Sequence, residues 1–282
     1  MRTINFKIKE KDDSKQIRDF LSDFGVSSAL LTTLKCSENG ILLNGVFAKT
    51  IEKLHTDDTL TINIEDSGVV PKASNRKVHI LYNDDDIIVA DKPPFMPVHQ
   101  SRNHIGDTLS NAVAPFLDGS FRSVYRLDRD TSGLVVIAKH TLSASKLAGK
   151  CDKTYYAICN GTTNFNGTIN LPIARENESI IKRCVSPFGE KAITHYTSLF
   201  YKNNKTLVKI NLETGRTHQI RVHFSHCSKA LVGDTLYGKG DKYIMRQALH
   251  CGEVAFKHPV TNEQMHFILP PPPDFFNCLR GE

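Results

Sequence analysis

No stretch of this 282-residue chain is apolar for long enough to span a bilayer as a helix. The first residues alternate polar and apolar and lack the hydrophobic centre of a signal peptide, so a cytoplasmic protein with no membrane partner is expected. The seven cysteines are scattered, odd in number and without a Cys-x-x-Cys pair. That pattern argues against a disulfide framework and predicts a reducing compartment with thiols buried as small apolar groups. His218, His223, His226 and Cys227 match no common zinc spacing, so no metal is expected. His99, His250 and His258 are read as structural, bonding to backbone groups. There is no internal repeat. A net charge of +6 is modest but uneven. Residues 1–70 hold 9 basic and 11 acidic side chains, and the rest hold 27 and 19. A polyanionic partner would therefore meet mostly the larger part.

The length allows two domains, one of them large. Ile17, Phe20, Leu21 and Phe24 recur at helix spacing, and Gly25 stops that helix. Ser27 or Ser28 can cap a second helix through Leu30, Leu31 and Leu34. Ile41–Leu43 reads as a strand entering an Asn44-Gly45 hairpin turn, and Thr59–Ile64 as a closing strand. The order helix, helix, hairpin, strand resembles the S4 RNA-binding domain, although Ala29 stands where that pattern has a basic residue after the serine. Lys15, Arg18, Lys35 and Lys49 are its candidate phosphate contacts. Asp66–Lys77, rich in turn formers and without periodicity, is the linker region. The expected division is 1–68, a linker at 69–77, and 78–282. Pro270–Pro273 reads as a rigid tail laid over the surface.

Two segments carry chemistry. Tyr125–Lys139 places Asp128 and Asp130 among Arg126 and Arg129, before a Thr-Ser-Gly turn and the apolar run Leu134–Ala138. A buried strand there would fix a loop whose carboxylates have cationic neighbours, which favour the ionised form. Asp128 is the candidate catalytic carboxylate; Asp130 is expected to close the turn through backbone amides. In the second segment Val208, Ile210 and Leu212 alternate with polar residues, as do Ile220, Val222 and Phe224 after a Glu-Thr-Gly-Arg turn. This predicts a hairpin whose second strand presents Gln219, Arg221 and His223 on one face. Arg221 could clamp a carboxylate there.

Several motifs in one order resemble a single family. They are Arg126–Gly133, Lys153–Gly161, Gly215–His223, Gly233–Gly238, Asp91-Lys92-Pro93 with Pro97-Val98-His99, Leu249-His250, and Phe256–Pro259. The chain is similar to the pseudouridine synthases of the ribosomal large-subunit (RluA) type, with Tyr125 where that family usually has histidine. The resemblance implies an α+β fold with a large mixed, mostly antiparallel sheet and a central cleft. It implies isomerisation of uridine to pseudouridine in structured RNA, 23S ribosomal RNA first and transfer RNA second, without cofactor or metal; a monomer is the default expectation. It gives catalytic roles to Asp128, Tyr155 and Arg221, with Arg221 paired to Asp128 and Tyr155 stacked on the target base. Arg126 would fill the space left by the extruded nucleotide, and Leu269 would form an apolar wall. Two rivals stand beside this: a non-catalytic RNA-binding or ribosome-assembly protein that kept the cleft, and a glycosidase using Asp128 and Asp130 as a pair.

Overall fold

A computed structural model describes residues 1–66, 68–102, 104–176 and 181–281. The N-terminal part comprises β1 (Arg2–Lys7), α1 (Ile17–Phe24), α2 (Ser28–Cys36), β2 (Ile41–Leu43), β3 (Val46–Phe47) and β4 (Thr59–Ile64). Its sheet order is β1-β4-β2-β3. Ile17 and Leu21 of α1 are buried, and Phe20 and Phe24 meet Phe6 edge-on at 5.4 and 4.7 Å. Gly25 ends α1 at φ 102°, with its N–H returned to Leu21 and Ser22. Ser27 accepts the Leu30 N–H and so caps α2. Asn44 and Gly45 both take positive φ (50° and 82°), which a tight two-residue hairpin requires.

The larger part continues with β5 (His79–Asn83), β6 (Ile87–Lys92), α3 (Leu109–Val113), β7 (Arg122–Ser123), β8 (Ser132–Ala138), α4 (Thr141–Leu147), β9 (Asp152–Asn160) and β10 (Asn166–Asn170). Then come β11 (Ile173–Arg175), β12 (Arg183–Val185), β13 (Ile193–Lys202), β14 (Lys205–Leu212), α5 (Gln219–His226), β15 (Leu249–Lys257), β16 (Gln264–Ile268) and α6 (Pro273–Arg280). Ten strands form one sheet along the order β10-β13-β14-β9-β15-β8-β6-β5, with β16 on β15 and β7 on β8. Among the described residues only β15 and β8 run parallel, so the sheet is mixed and mostly antiparallel, as expected. Every residue of β8 is buried, which explains its continuous apolar sequence. Gly133 sits at φ 118° with the Cys251 carbonyl 2.2 Å from where a Cβ would be, so only glycine fits between β8 and β15.

The two parts share more than a tether. Leu142 of α4 belongs to the N-terminal apolar cluster, with Val260 packed against it. Arg2 of β1 donates twice to Asp86, which also bonds His140. Asp84 accepts from Tyr82 and two backbone amides and bonds His258. Asp84, Asp86 and His258 converge closely enough to hold an ion, but their atoms are already taken by these bonds and the group suits a hydrogen-bonded bolt better than a metal. Segment 69–77 carries no regular element and lies along α3, where Asn111 bonds the Lys72 carbonyl and the Ser74 N–H.

Three expectations need correction. The predicted second strand of the 207–224 hairpin is the helix α5. Ile220 and Phe224, one turn apart, enter the main core, while Val222 packs beside Ile173 and Ala192. Residues 219–224 are all buried, so apolar residues on several faces mimic alternation. The proline run is not only a tail, because Pro273 opens α6 at the position where a missing N–H costs nothing. Of the cysteines, Cys151, Cys159, Cys251 and Cys278 are buried, but Cys36 and Cys227 are exposed. Among the described residues no helix is long and apolar enough to cross a membrane.

Candidate active site

The loop between β7 and β8 carries Asp128. Its backbone closes on itself through the Thr131 N–H and the Asp128 carbonyl. The carboxylate, about a quarter exposed, accepts from Arg221 Nη1 at 3.0 Å. Arg221 projects from α5 and is itself clamped from behind. Its Nε and Nη2 donate to the two oxygens of Asp234 at 2.7 and 2.9 Å, and the Asp234 side chain is fully buried. Burial works against the guanidinium charge, but the bonds and charges of Asp234 and Asp128 outweigh it and hold Arg221 above its usual range. A planar cation with two carboxylate partners cannot swing, so it fixes where Asp128 points.

A cavity of about 730 Å³ opens in front of this pair, with Asp128, Tyr155, Arg126, Lys153, His99 and His218 on its walls. A smaller adjoining pocket of about 90 Å³ holds Arg221, and Leu249 of β15 and Tyr155 of β9 line it from the two central strands of the sheet path. Tyr155 is buried and faces the cavity, and burial pushes its hydroxyl well above the ordinary range, so it stays protonated. Neighbouring Tyr156 faces the other way and donates to Glu253 at 2.6 Å. Strand alternation thus separates the two tyrosines. Tyr125, in the histidine position of the resemblance, is likewise raised by burial and donates its hydroxyl to the Leu134 carbonyl at 3.0 Å.

The other sequence-expected residues divide. Arg126 is exposed on the cavity wall. Leu269 is not among the lining residues. It packs on the core beyond β16 and accepts from His250, while Leu127 and Leu212 line both pockets and Ile220 and Leu249 add apolar surface to the smaller one. Asp130 does not close the turn through amides, because both its oxygens accept from Arg129. Lys15 pairs with Asp12 and Asp23, and Arg18 sits 3.4 Å from Asp19. Lys35 and Lys49 are exposed. His250 bonds the Leu269 carbonyl and Ser132, His258 accepts from the Val260 and Thr261 N–H groups and bonds Asp84, and His99 bonds a side chain, Ser123, rather than backbone.

Four contributors have partners that the sequence did not reveal. Asp234 lay inside a recognised motif, but nothing local revealed that it would meet Arg221. His218 stands 3.7 Å from Asp128 and bonds Tyr237 through Nδ1; burial lowers its pKa and favours neutral imidazole. Gln219 ties the 214–216 turn to β13 by accepting from Arg216 N–H and donating to the Ile193 carbonyl. Lys92 is fully buried behind the Asp128 loop. Polar residues before and within a short amphipathic segment give no signal of such partners.

Comparison with known proteins agrees with this architecture. The RNA pseudouridylate synthase family profile matches residues 86–226, the segment that carries Asp128, Tyr155 and Arg221. The chain is 35% identical over 279 residues to YjbO of Bacillus subtilis, named as an uncharacterised RNA pseudouridine synthase, covering 94% of this chain and 99% of that one. It is 35% identical over 234 residues to ribosomal large subunit pseudouridine synthase D of Haemophilus influenzae, covering 74% and 72%. The human RNA pseudouridylate synthase domain containing 1 shares the fold at TM-score 0.59 and 24% identity, over 76% of this chain and 90% of that one. A family profile across half of the sequence, joined by relatives that align along most of it, means that this chain belongs to the RNA pseudouridine synthases, isomerases that act on structured RNA.

Proposed function

We propose that this protein converts particular uridines of folded 23S ribosomal RNA to pseudouridine, with transfer RNA as the alternative substrate, and that Asp128 is the catalytic carboxylate. The observation that carries this is the Asp128–Arg221 bond of 3.0 Å, braced by Asp234, at the wall of a nucleotide-sized cavity. The reaction breaks the bond between the ribose carbon and the uracil nitrogen and rejoins the ribose to a ring carbon; that carbon loses its proton and the freed nitrogen gains one, so the product is an isomer. An ionised, oriented carboxylate serves either route, attack on the substrate or proton abstraction from the sugar. Arg221 keeps it charged and aimed. Tyr155 stacks on the base, and its protonated hydroxyl is available for a late proton transfer. Extruding a stacked nucleotide costs a few kcal/mol, and Arg126, exposed at the cavity, enters the vacated space.

On this reading residues 1–68 form an S4-like unit, 69–77 a linker and 78–282 the catalytic domain, in a cytoplasmic monomer. Lys15, Arg18, Lys35 and Lys49 offer auxiliary phosphate contacts, a sequence-independent role. The test is Asp128→Asn incubated with unmodified ribosomal and transfer RNA transcripts, followed by nucleoside analysis. Loss of pseudouridine with retained RNA binding is expected. Product formation by the variant would remove Asp128 from its role, and free base or sugar from the wild type would point to a hydrolase instead.

A further inference from the structure

Lys92, the last residue of β6, has no exposed surface. Its Nζ donates to three carbonyl oxygens, those of Pro93 at 2.9 Å, Met96 at 2.9 Å and Arg129 at 3.0 Å. Burying an ammonium is costly, and proteins retain one where all its protons are taken. Here they are. Burial pushes its pKa down to about 7, and Asp130 and Asp128 oppose that shift. Arg129 immediately follows Asp128, and its carbonyl also accepts from the Met96 N–H. Lys92 pairs in register with Gly133, where β8 begins. The carboxylate loop is therefore fastened to β6 at two points downstream of Asp128, the Arg129 carbonyl and Gly133. The next carbonyl, of Asp130, accepts from the buried Arg246 at 3.4 Å.

We infer that Lys92 is a positioning residue for the reaction: by holding the Arg129 carbonyl from inside the core, it sets the loop so that Asp128 meets Arg221 beside the cavity. The role rests on the catalytic reading of Asp128. Lys92 does not touch the cavity, so RNA affinity does not depend on it. A lysine suits the place because an unbranched ammonium has three donors, whereas an amide has two and a thioether none. Displacing a reacting group by about 1 Å can cost about a hundredfold in rate.

The test uses full-length Lys92→Met and Lys92→Gln, each checked for the wild-type melting profile at the assay temperature. Single-turnover pseudouridine formation is measured on unmodified ribosomal and transfer RNA transcripts, and Kd by filter binding to the same RNA. The expected result is a single-turnover rate about a hundredfold lower for Lys92→Met and less reduced for Lys92→Gln, with Kd within about twofold of wild type. A folded variant with a rate within about threefold of wild type overturns the inference, as does a Kd that weakens in step with the rate. If neither variant keeps the wild-type melt, Lys92 serves stability and the inference is overturned. A wild type without product would sink the proposed function itself, and this inference with it.

Discussion

Replacing Asp234 by Asn removes one charge and changes almost no volume, yet it strikes the support of the whole site. Asp234 receives two charge-assisted bonds from Arg221 with its side chain fully buried. An amide can accept one of them and turns its own N–H group toward the guanidinium, so the bidentate clamp is lost. Breaking one partner of a buried pair costs about 3–5 kcal/mol. Asp128 offsets part of this, but it offers a single bond and is partly exposed. At about 2–4 °C per kcal/mol for chains approaching this size, the melting temperature should fall by roughly 10 °C. Arg221 would then be free to rotate, and a misaimed carboxylate should lower the single-turnover rate by about a hundredfold. Thermal melting by circular dichroism and single-turnover pseudouridine formation below the variant's melting point read the two effects separately. A variant with unchanged melting and rate would show that the clamp neither stabilises the fold nor aims Asp128.

Gly133→Ala should destabilise by at least about 3 kcal/mol, because φ 118° disfavours any side chain and a Cβ would stand 2.2 Å from the Cys251 carbonyl. Denaturant unfolding checks this, and a loss below about 1 kcal/mol would mean β8 and β15 separate easily. His250, buried between Ser132 and the Leu269 carbonyl, is lowered by burial to about 4. Its unfolded form takes a proton first, below about 6.5, so stability should fall by about 3 kcal/mol as the pH drops from 6.5 to 4. His250→Gln has no such titration, and a denaturant series at both pH values should show a smaller loss for the variant. Equal losses would assign the acid sensitivity to other groups.

The elements that depend on neighbours in sequence were legible in it. Gly25 stopping α1, the Ser27 cap, the Asn44-Gly45 turn and the buried β8 all follow from local backbone preference and apolar runs. Strand alternation also separated Tyr155 from Tyr156. Helix α5 was not legible, because a segment buried on every side loses the periodicity that distinguishes helix from strand. Asp130 looked like a turn closer because aspartate often bonds backbone amides, but the adjacent Arg129 was the stronger partner.

Residue types and their order by themselves determined which family the chain resembles and which carboxylate and arginine to watch. Tertiary structure alone decided what surrounds them. The bond from Arg221 to Asp128 spans 93 positions, and the one from Lys92 to Arg129 spans 37. No local rule sets contacts at such separations. They arise when sheet order and register bring β6, β8 and α5 together, and that order is fixed by how the whole core packs.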